Sequence, residues 1–213
     1  MALPNFDKLR PKKKEMLLQS IIDCLKVHDY DELTINDIVE EAEISRGSFY
    51  NYFIDKNDAI TTLINSKLYA LRDIFFNNIK QSNNSLFDGT LKTYEEIENY
   101  LANEIFSSII KNIHYIRDIV TKIFYSERFG KDVEETVDWL INNTNEGKAT
   151  LTDREKMLNV FGLILSLVLE VLSCKVEMKG VEVFKYSNFK FKLDIIKRGT
   201  MSLYNDNVEK VEA

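Results

Sequence analysis

Residues 33–56 read LTINDIVEEAEISRGSFYNYFIDK, and this stretch decides the fold that we predict from the sequence. Thr34 can cap a first helix and Ser45 a second, because a hydroxyl oxygen accepts a hydrogen bond from a backbone N–H of the first helical turn. Only residues 42–44 lie between the two helices as a turn. This spacing is typical of a helix-turn-helix, so the leading hypothesis is DNA binding.

Small residues, aromatic residues and a lysine fall at fixed offsets within this stretch. They are Thr34, Ile38, Ala42, Ile44, Ser45, Arg46, Gly47, Ser48, Phe49, Tyr50, Tyr52, Phe53 and Lys56. In combination they resemble the N-terminal signature of TetR-type transcriptional regulators. The resemblance covers roughly the first quarter of the chain, and the remainder is similar to the family only in length and helical character.

Three residues depart from the family pattern, and each departure has a physical consequence. Val39 replaces a small alanine, so two more methyl groups must fit where the two helices cross. Glu43 stands where the turn often has glycine, which tolerates a positive φ without a Cβ clash. Asn51 occupies a position that is often His or Tyr, and its amide can bond an adenine edge or a phosphate. These departures concern base preference more than fold.

The composition indicates an all-α fold. The chain has 213 residues, enough to bury a full core, with only two Pro and seven Gly to interrupt helices. Apolar residues recur at helical spacing, without a convincing alternating strand flanked by turn signals. We therefore predict an N-terminal three-helix DNA-binding domain, residues 1–56, followed by a larger helical ligand-binding and dimerisation domain, residues 57–213.

The charge distribution confines any DNA contact to a local patch. The net charge is −6, yet residues 1–14 hold five cations against Asp7 alone, whereas residues 15–58 hold three cations against eleven acids. The basic arm 1–14 can lie along phosphates, and Arg46 and Lys56 add charge at the reading helix. The alternative is a solvated, disordered tail.

Several other functions find little support in the residues. Cys24 and Cys174 lie in apolar helical contexts, which suits buried thiols in a reducing cytosol, and neither has a partner at metal-ligand spacing. The apolar stretch Leu158–Leu172 is too short to span a bilayer of about 20 helical residues. No secretory signal, catalytic triad or phosphate loop is evident, so we expect a cytoplasmic, non-enzymatic protein without membrane contact, cofactor or metal.

The periodicity places further helices along the chain. They are predicted at residues 8–27, in the two reading helices that end near residue 53, in a long amphipathic helix that follows residues 54–57, and at residues 94–111, 113–127, 132–143, 153–176 and 188–204. Residues 82–93 are rich in Asn, Ser and Gly and predict a loop. The run Thr152 to Glu155 has a capping-box pattern that predicts the start of the penultimate helix.

The second reading helix would enter the major groove by its N-terminal end. The predicted DNA-binding residues are Thr34, Ser45, Arg46, Gly47, Ser48, Tyr50, Asn51, Tyr52 and Lys56. The resemblance implies that Thr34, Tyr52 and Lys56 hold the DNA backbone. Phe49 and Phe53, four residues apart, are instead expected to pack inward against Ile21, Leu25 and Ile38.

One such unit reads only a few base pairs of double-stranded DNA. We therefore expect a homodimer on an inverted-repeat operator. The resemblance implies pairing through the last long helices, and segments 160–172 and 189–204 match that role in position; packing within one monomer is the alternative. The resemblance also implies release by a ligand bound among the middle helices. An apolar or aromatic ligand would contact Phe106, Tyr115, Phe124, Tyr125 and Trp139, although ordinary core packing explains the same residues.

His114 lies at a helix start beside Tyr115 and can sense pH or bind a ligand, although a structural histidine is the more common case. The functional hypothesis that follows from all these features is a ligand-responsive repressor. The alternative is a protein of the same fold that acts as a coactivator or interaction module without reading an operator. Substitution of Arg46 and Tyr50 distinguishes the two.

Overall fold

The computed structural model describes the backbone of residues 3–101, 113–177 and 186–211, and most of their side chains. These residues are helical, with no strand among them, which confirms the predicted all-α class. The helices are α1 (Pro4–Asp7), α2 (Pro11–Val27), α3 (Ile35–Glu41), α4 (Arg46–Tyr52), α5 (Lys56–Gln81), α6 (Leu86–Leu101), α7 (Ile113–Phe124), α8 (Glu127–Asn143), α9 (Asn145–Ala149), α10 (Arg154–Glu177) and α11 (Tyr186–Val211).

The chain divides into two compact units. The N-terminal unit comprises residues 1–71 and 99–126, and the C-terminal unit comprises residues 72–98 and 127–213. This division differs from the predicted one after residue 56, because the first half of α5 and all of α7 pack with the N-terminal helices. The functional roles assigned to residues 1–56 and 57–213 stay predictions.

The first predicted helix, residues 8–27, is wrong in its N-terminal part. The structure has a short α1 and then a separate α2 that begins at Pro11, with Arg10 extended at φ −61° and ψ 143°. Proline lacks a backbone N–H and its ring disfavours a helical conformation in the preceding residue, so it starts a helix more readily than it continues one. The chain therefore bends at residues 8–10.

One apolar core holds the N-terminal unit together. Ile21, Leu25, Ile38, Phe49 and Phe53 are all at most 1% exposed and belong to the same cluster. The inward packing predicted for the two phenylalanines is thus confirmed. Other members of the cluster come from α1, α5 and α7, namely Phe6, Ile60, Leu63, Ile119 and Ile123. This core fixes the orientation of α3 and α4.

The loop predicted for residues 82–93 is also wrong, because α6 begins at Leu86. Asn83 and Asn84 reverse the chain with φ values of 53° and 60°. The first turn of α6 is then capped by a residue distant in the sequence. Glu146 accepts hydrogen bonds from the Leu86 N–H (2.9 Å) and the Ser85 hydroxyl (3.3 Å). Only residues 82–85 connect α5 to α6.

Gly89 explains why a Gly-containing segment is helical. A Cβ at this position would lie 2.6 Å from the Cα of Ile79, so only glycine permits α6 to approach α5 this closely. The sequence signal interpreted as a turn is therefore a packing requirement. The hydroxyls of Thr90 and Thr93 donate hydrogen bonds to the carbonyls of Leu86 and Gly89, both at 2.7 Å. Bonds to a carbonyl four residues earlier are compatible with a helix.

The C-terminal unit has its own core and differs from the prediction in detail. The ring of Tyr94 stacks on that of Phe189 with centroids 4.1 Å apart, joining α6 to α11. A short helix, α9, occupies part of a predicted loop because Thr144 accepts a hydrogen bond from the Gly147 N–H at 2.9 Å. The cap of α10 is Asp153 rather than Thr152, since Asp153 accepts from the Lys156 N–H at 3.0 Å.

The apolar segment Leu158–Leu172 lies within α10. In the part of the chain that the structure describes, no helix combines the length and the apolar character needed to cross a membrane.

Candidate nucleic-acid interface

The start of α3 is fixed by a reciprocal cap between Thr34 and Asp37. The Asp37 N–H donates to the Thr34 hydroxyl at 3.3 Å, and the Asp37 carboxylate accepts from the Thr34 N–H at 2.7 Å and from its hydroxyl at 2.8 Å. These hydrogen bonds, with the side-chain one as the largest cause, lower the pKa of Asp37. The capping role predicted for Thr34 is confirmed, and its partner Asp37 follows from the S/T-x-x-D/E spacing.

The turn between α3 and α4 is closed by backbone hydrogen bonds. The Ile44 N–H donates to the Val39 carbonyl at 3.0 Å and the Glu43 N–H to the Glu40 carbonyl at 3.2 Å. This is the Schellman pattern, which requires a left-handed residue at Glu43, and Glu43 has φ 49°. Glu43 therefore occupies the left-handed position of this turn, where glycine would have no Cβ clash.

The start of α4 is capped by Ser45 and exposes the residues predicted to meet DNA. The Ser45 hydroxyl accepts from the Ser48 N–H at 3.0 Å, which confirms the predicted cap. Ser45, Arg46, Gly47 and Asn51 are exposed. Arg46 donates to the Asn36 amide oxygen at 3.3 Å, a partner on α3 that sequence reasoning missed. This contact orients the guanidinium beside the first turn of α4.

The two faces of α4 separate its aromatic residues. Phe49 is fully buried, whereas Tyr50 is 43% exposed and its ring meets Phe49 edge-on at 5.5 Å. Tyr52 is half-buried and packs against the edge of the core. A tyrosine held by its ring through a neighbour keeps its hydroxyl available for a phosphate or a base edge.

The N-terminal segment is docked on the end of α4, and α1 with the first turn of α2 contains most of the basic arm predicted for residues 1–14. The Leu3 N–H donates to the Tyr52 carbonyl at 2.8 Å, and the buried Phe6 ring lies 5.3 Å from that of Phe53. Lys13 lies over the Tyr52 ring at 5.8 Å. Sequence reasoning missed Leu3 and Phe6, although an aromatic residue within a basic run is a signal for such an anchor.

The basic residues of this segment differ in their surroundings. Lys14 lies 5.6 Å over the Phe6 ring and 3.9 Å from the Asp7 carboxylate. Lys8, Arg10 and Lys12 are exposed. A set of exposed cations is thus held on a folded segment that contacts α4, where it can face phosphates.

Lys56 has contacts that the family resemblance does not imply. Its ammonium donates to the carbonyls of Tyr30 (2.7 Å) and Leu33 (2.8 Å) and lies 4.4 Å over the Tyr30 ring. The Tyr30 hydroxyl donates to the Asn57 side-chain oxygen. Burial, followed by the charges of Asp31 and Asp55, raises the pKa of Tyr30. Lys56 is therefore directed into the protein, toward the α2–α3 connector.

The residues predicted to line a ligand pocket are distributed over the two units. Phe106 lies outside the described residues, as do the side chains of Tyr115 and His114. Phe124 is half-buried and Tyr125 is 88% exposed, both in the N-terminal unit. Trp139 belongs to the C-terminal unit and stacks on Phe76 with centroids 4.1 Å apart.

The two helices predicted to pair between subunits expose large apolar side chains. In α10 these are Leu158 (39% exposed) and Leu163 (54%), and in α11 they are Phe191 (66%), Ile195 (55%) and Met201 (41%). Phe189 and Leu193, by contrast, are buried within the C-terminal unit.

Cys24 is buried, and burial, with the nearby carboxylates of Glu41, Asp37 and Asp23, raises its pKa to about 11. Such a thiol is a packing residue rather than a nucleophile. The side chain of Cys174 lies outside the described residues. Among the side chains that are described, His, Cys, Asp and Glu do not gather in any group able to hold a metal ion.

A capped helix-turn-helix whose second helix exposes a cation, a tyrosine and an amide has the architecture of helix-turn-helix DNA-binding domains. Residues 17–59 match the family model described as bacterial regulatory proteins, tetR family. The matched segment contains α3 and α4 and ends in the first turn of α5. This match confirms the resemblance to TetR-type regulators that was predicted from the same residues.

A solved structure of a TetR family transcriptional regulator from Chloroflexus aurantiacus J-10-FL is similar over 96% of this chain and 95% of that one, with 20% identity and a TM-score of 0.32. No curated protein matches the chain significantly.

Proposed function

We propose that the protein is a TetR-type transcriptional repressor that binds an inverted-repeat operator as a homodimer and is released by a small apolar or aromatic ligand. One observation carries the DNA-binding part of this proposal. On α4, Arg46, Tyr50 and Asn51 are exposed while Phe49 is buried, so the helix is anchored by one face and presents polar groups on the other. That division is what a reading helix requires.

The individual roles follow from the chemistry of the side chains. Arg46 can donate two hydrogen bonds to a guanine edge, and Asn51 can pair with an adenine edge. Thr34, Ser45, Ser48, Tyr50 and Tyr52 are suited to phosphates and sugars, and Gly47 lets the backbone approach closely. The exposed cations of segment 8–12 add the salt-dependent part of the affinity.

The homodimer is supported by the exposed apolar residues of α10 and α11. Isolated apolar side chains on a surface need no explanation, but five large ones on two adjacent segments of sequence suggest an interface. Two reading units related by a two-fold axis would bind half-sites about one helical turn of DNA apart. Ligand release requires that the ligand prefer the DNA-incompetent state, and a coupling of about 1–3 kcal/mol changes the affinity roughly 5- to 150-fold.

Selection of sites from random duplex DNA at two salt concentrations tests the proposal. We expect an enriched inverted repeat whose binding weakens steeply with salt, because phosphate contacts release counterions. Arg46→Ala and Tyr50→Ala should abolish enrichment while the oligomeric state stays unchanged. Arg128→Ala, which removes an exposed arginine of α8, is the matched control and should bind as the unaltered protein does.

The alternative, a coactivator or interaction module of the same fold, predicts a different result. It would give no enriched site at either salt concentration, and biological output would survive substitution of Arg46 and Tyr50. The acidic character of residues 15–58, with eleven acids against three cations, is the feature that favours it.

A further inference from the structure

We infer that Lys56 is a positioning residue that locks the α2–α3 connector, residues 28–34, onto the first turn of α5, rather than a phosphate contact. The inference rests on the proposed function, because positioning matters to DNA binding only if the domain reads DNA. It departs from the family resemblance, which places the equivalent lysine on the DNA backbone.

The hydrogen-bond geometry of the ammonium carries the first step. A lysine ammonium has three N–H donors, and two of them are directed to the Tyr30 and Leu33 carbonyls at 2.7 and 2.8 Å. These are short, charge-assisted hydrogen bonds in a partly buried site. A phosphate that took either of these two donors would leave a carbonyl without its partner.

A second tie runs through Tyr30 itself. Its ring lies 4.4 Å below the Lys56 ammonium, within the range of a cation–π interaction. Its hydroxyl donates to Asn57, the next residue of α5. The connector is thus held by its backbone and by a side chain to two consecutive residues of one helix.

The first turn of α5 is also tied to the reading helix. The Ile54 N–H, two residues beyond the end of α4, donates to the Asp58 carboxylate at 2.9 Å, and Asp55 caps α5 by accepting from the Asp58 N–H at 2.8 Å. The same turn therefore holds the chain that leaves α4 and the connector that leads into Thr34 and α3. Movement of this turn would displace both helices of the helix-turn-helix together.

The salt dependence of operator binding separates the two roles of Lys56. Each phosphate contact contributes a slope of about 0.9 to the dependence of log K on log salt concentration. We expect Lys56→Gln to weaken binding roughly tenfold while leaving this slope unchanged. Lys12→Gln, which removes an exposed lysine of α2, is the matched control and should lower the slope by about 0.9 if Lys12 meets a phosphate.

Tyr30→Phe is the second variant, because it keeps the ring and removes only the hydroxyl. It should weaken binding in the same direction as Lys56→Gln, again without a change in slope. A slope reduced by about 0.9 in Lys56→Gln would overturn the inference, as would unchanged affinity in both variants.

Hydrogen exchange tests the lock without DNA, so its result is independent of the proposed function. The Glu32 and Leu33 amides donate to the Asp29 carbonyl at 3.0 Å, and both should exchange faster in Lys56→Gln. Unaltered exchange in the connector would contradict the lock. Failure of Lys56→Gln to fold would support a structural role for Lys56. Operator affinity and its salt dependence would then be measured in Tyr30→Phe alone.

Discussion

Glu43 holds the left-handed position of the turn between α3 and α4, a position that glycine tolerates best. Its φ of 49° lies in the left-handed region, where a Cβ crowds the following carbonyl at a cost of roughly 1–2 kcal/mol. The Schellman hydrogen bonds from Glu43 and Ile44 hold it there. The closure of the turn and the buried core beneath it therefore offset the conformational free energy that a glutamate costs at this φ.

Glu43→Gly should stabilise the protein by about 1 kcal/mol, since glycine adopts this φ without strain. Urea denaturation followed by circular dichroism measures the change. Glu40→Gly is the matched control: this exposed glutamate lies within α3, so glycine there should destabilise by about 1 kcal/mol. Destabilisation in both variants would show that residue 43 is not strained.

At the scale of elements, α1 lies in front of the segment that matches the family model. The match begins at residue 17, whereas Leu3 and Phe6 dock on the last turn of α4. The hydrogen bond from Leu3 satisfies the carbonyl of Tyr52, one of the last four of the helix, which lack intrahelical partners. The four-residue helix α1 and the residue before it thus satisfy the C-terminal end of α4 and add Phe6 to the core of the N-terminal unit.

Phe6→Ala should destabilise the N-terminal unit by about 3 kcal/mol, because a buried aromatic ring leaves a cavity that its surroundings only partly fill. Thermal and urea unfolding measure this loss. Tyr125→Ala is the control for an exposed ring in the same unit, and at 88% exposure it should change stability by less than about 0.5 kcal/mol. Equal effects in the two variants would mean that α1 is not anchored.

At the scale of the whole molecule, α10 and α11 expose large apolar side chains that the single chain does not bury. The C-terminal unit buries Leu193 and Phe189 in its own core but leaves Ile195 and Phe191 on the surface of the same helix. A helix with apolar residues on more than its core-facing stripe commonly packs against a second partner. A second copy of the chain is the partner that the proposed inverted-repeat operator requires.

Ile195→Arg should convert the proposed dimer into a monomer, since a buried unpaired charge at an interface costs several kcal/mol. Sedimentation equilibrium measures the mass directly, and operator affinity should fall with it. Val27→Arg, at a position 75% exposed in the N-terminal unit, should leave the mass unchanged. Persistence of a dimer in both Ile195→Arg and Leu163→Arg would place the interface elsewhere.

The sequence by itself determined the features that depend on neighbours a few residues apart. The caps by Thr34 and Ser45 and the inward packing of Phe49 and Phe53 were all predicted, because capping and helical periodicity are local. The break at Pro11 was also readable from a local rule, the preference of proline for the first turn of a helix.

Only the tertiary structure decided the features that depend on residues far apart in the chain. Lys56 binds carbonyls at Tyr30 and Leu33, and the N-terminus of α6 depends on Glu146, 60 residues from Leu86. In the sequence Gly89 indicates a turn, whereas in the structure it permits close contact with the backbone of Ile79. A single sequence gives residue types and spacing, whereas burial and hydrogen-bond partners arise when separate segments pack. Here that packing directs the Lys56 ammonium to two backbone carbonyls and makes a predicted loop helical.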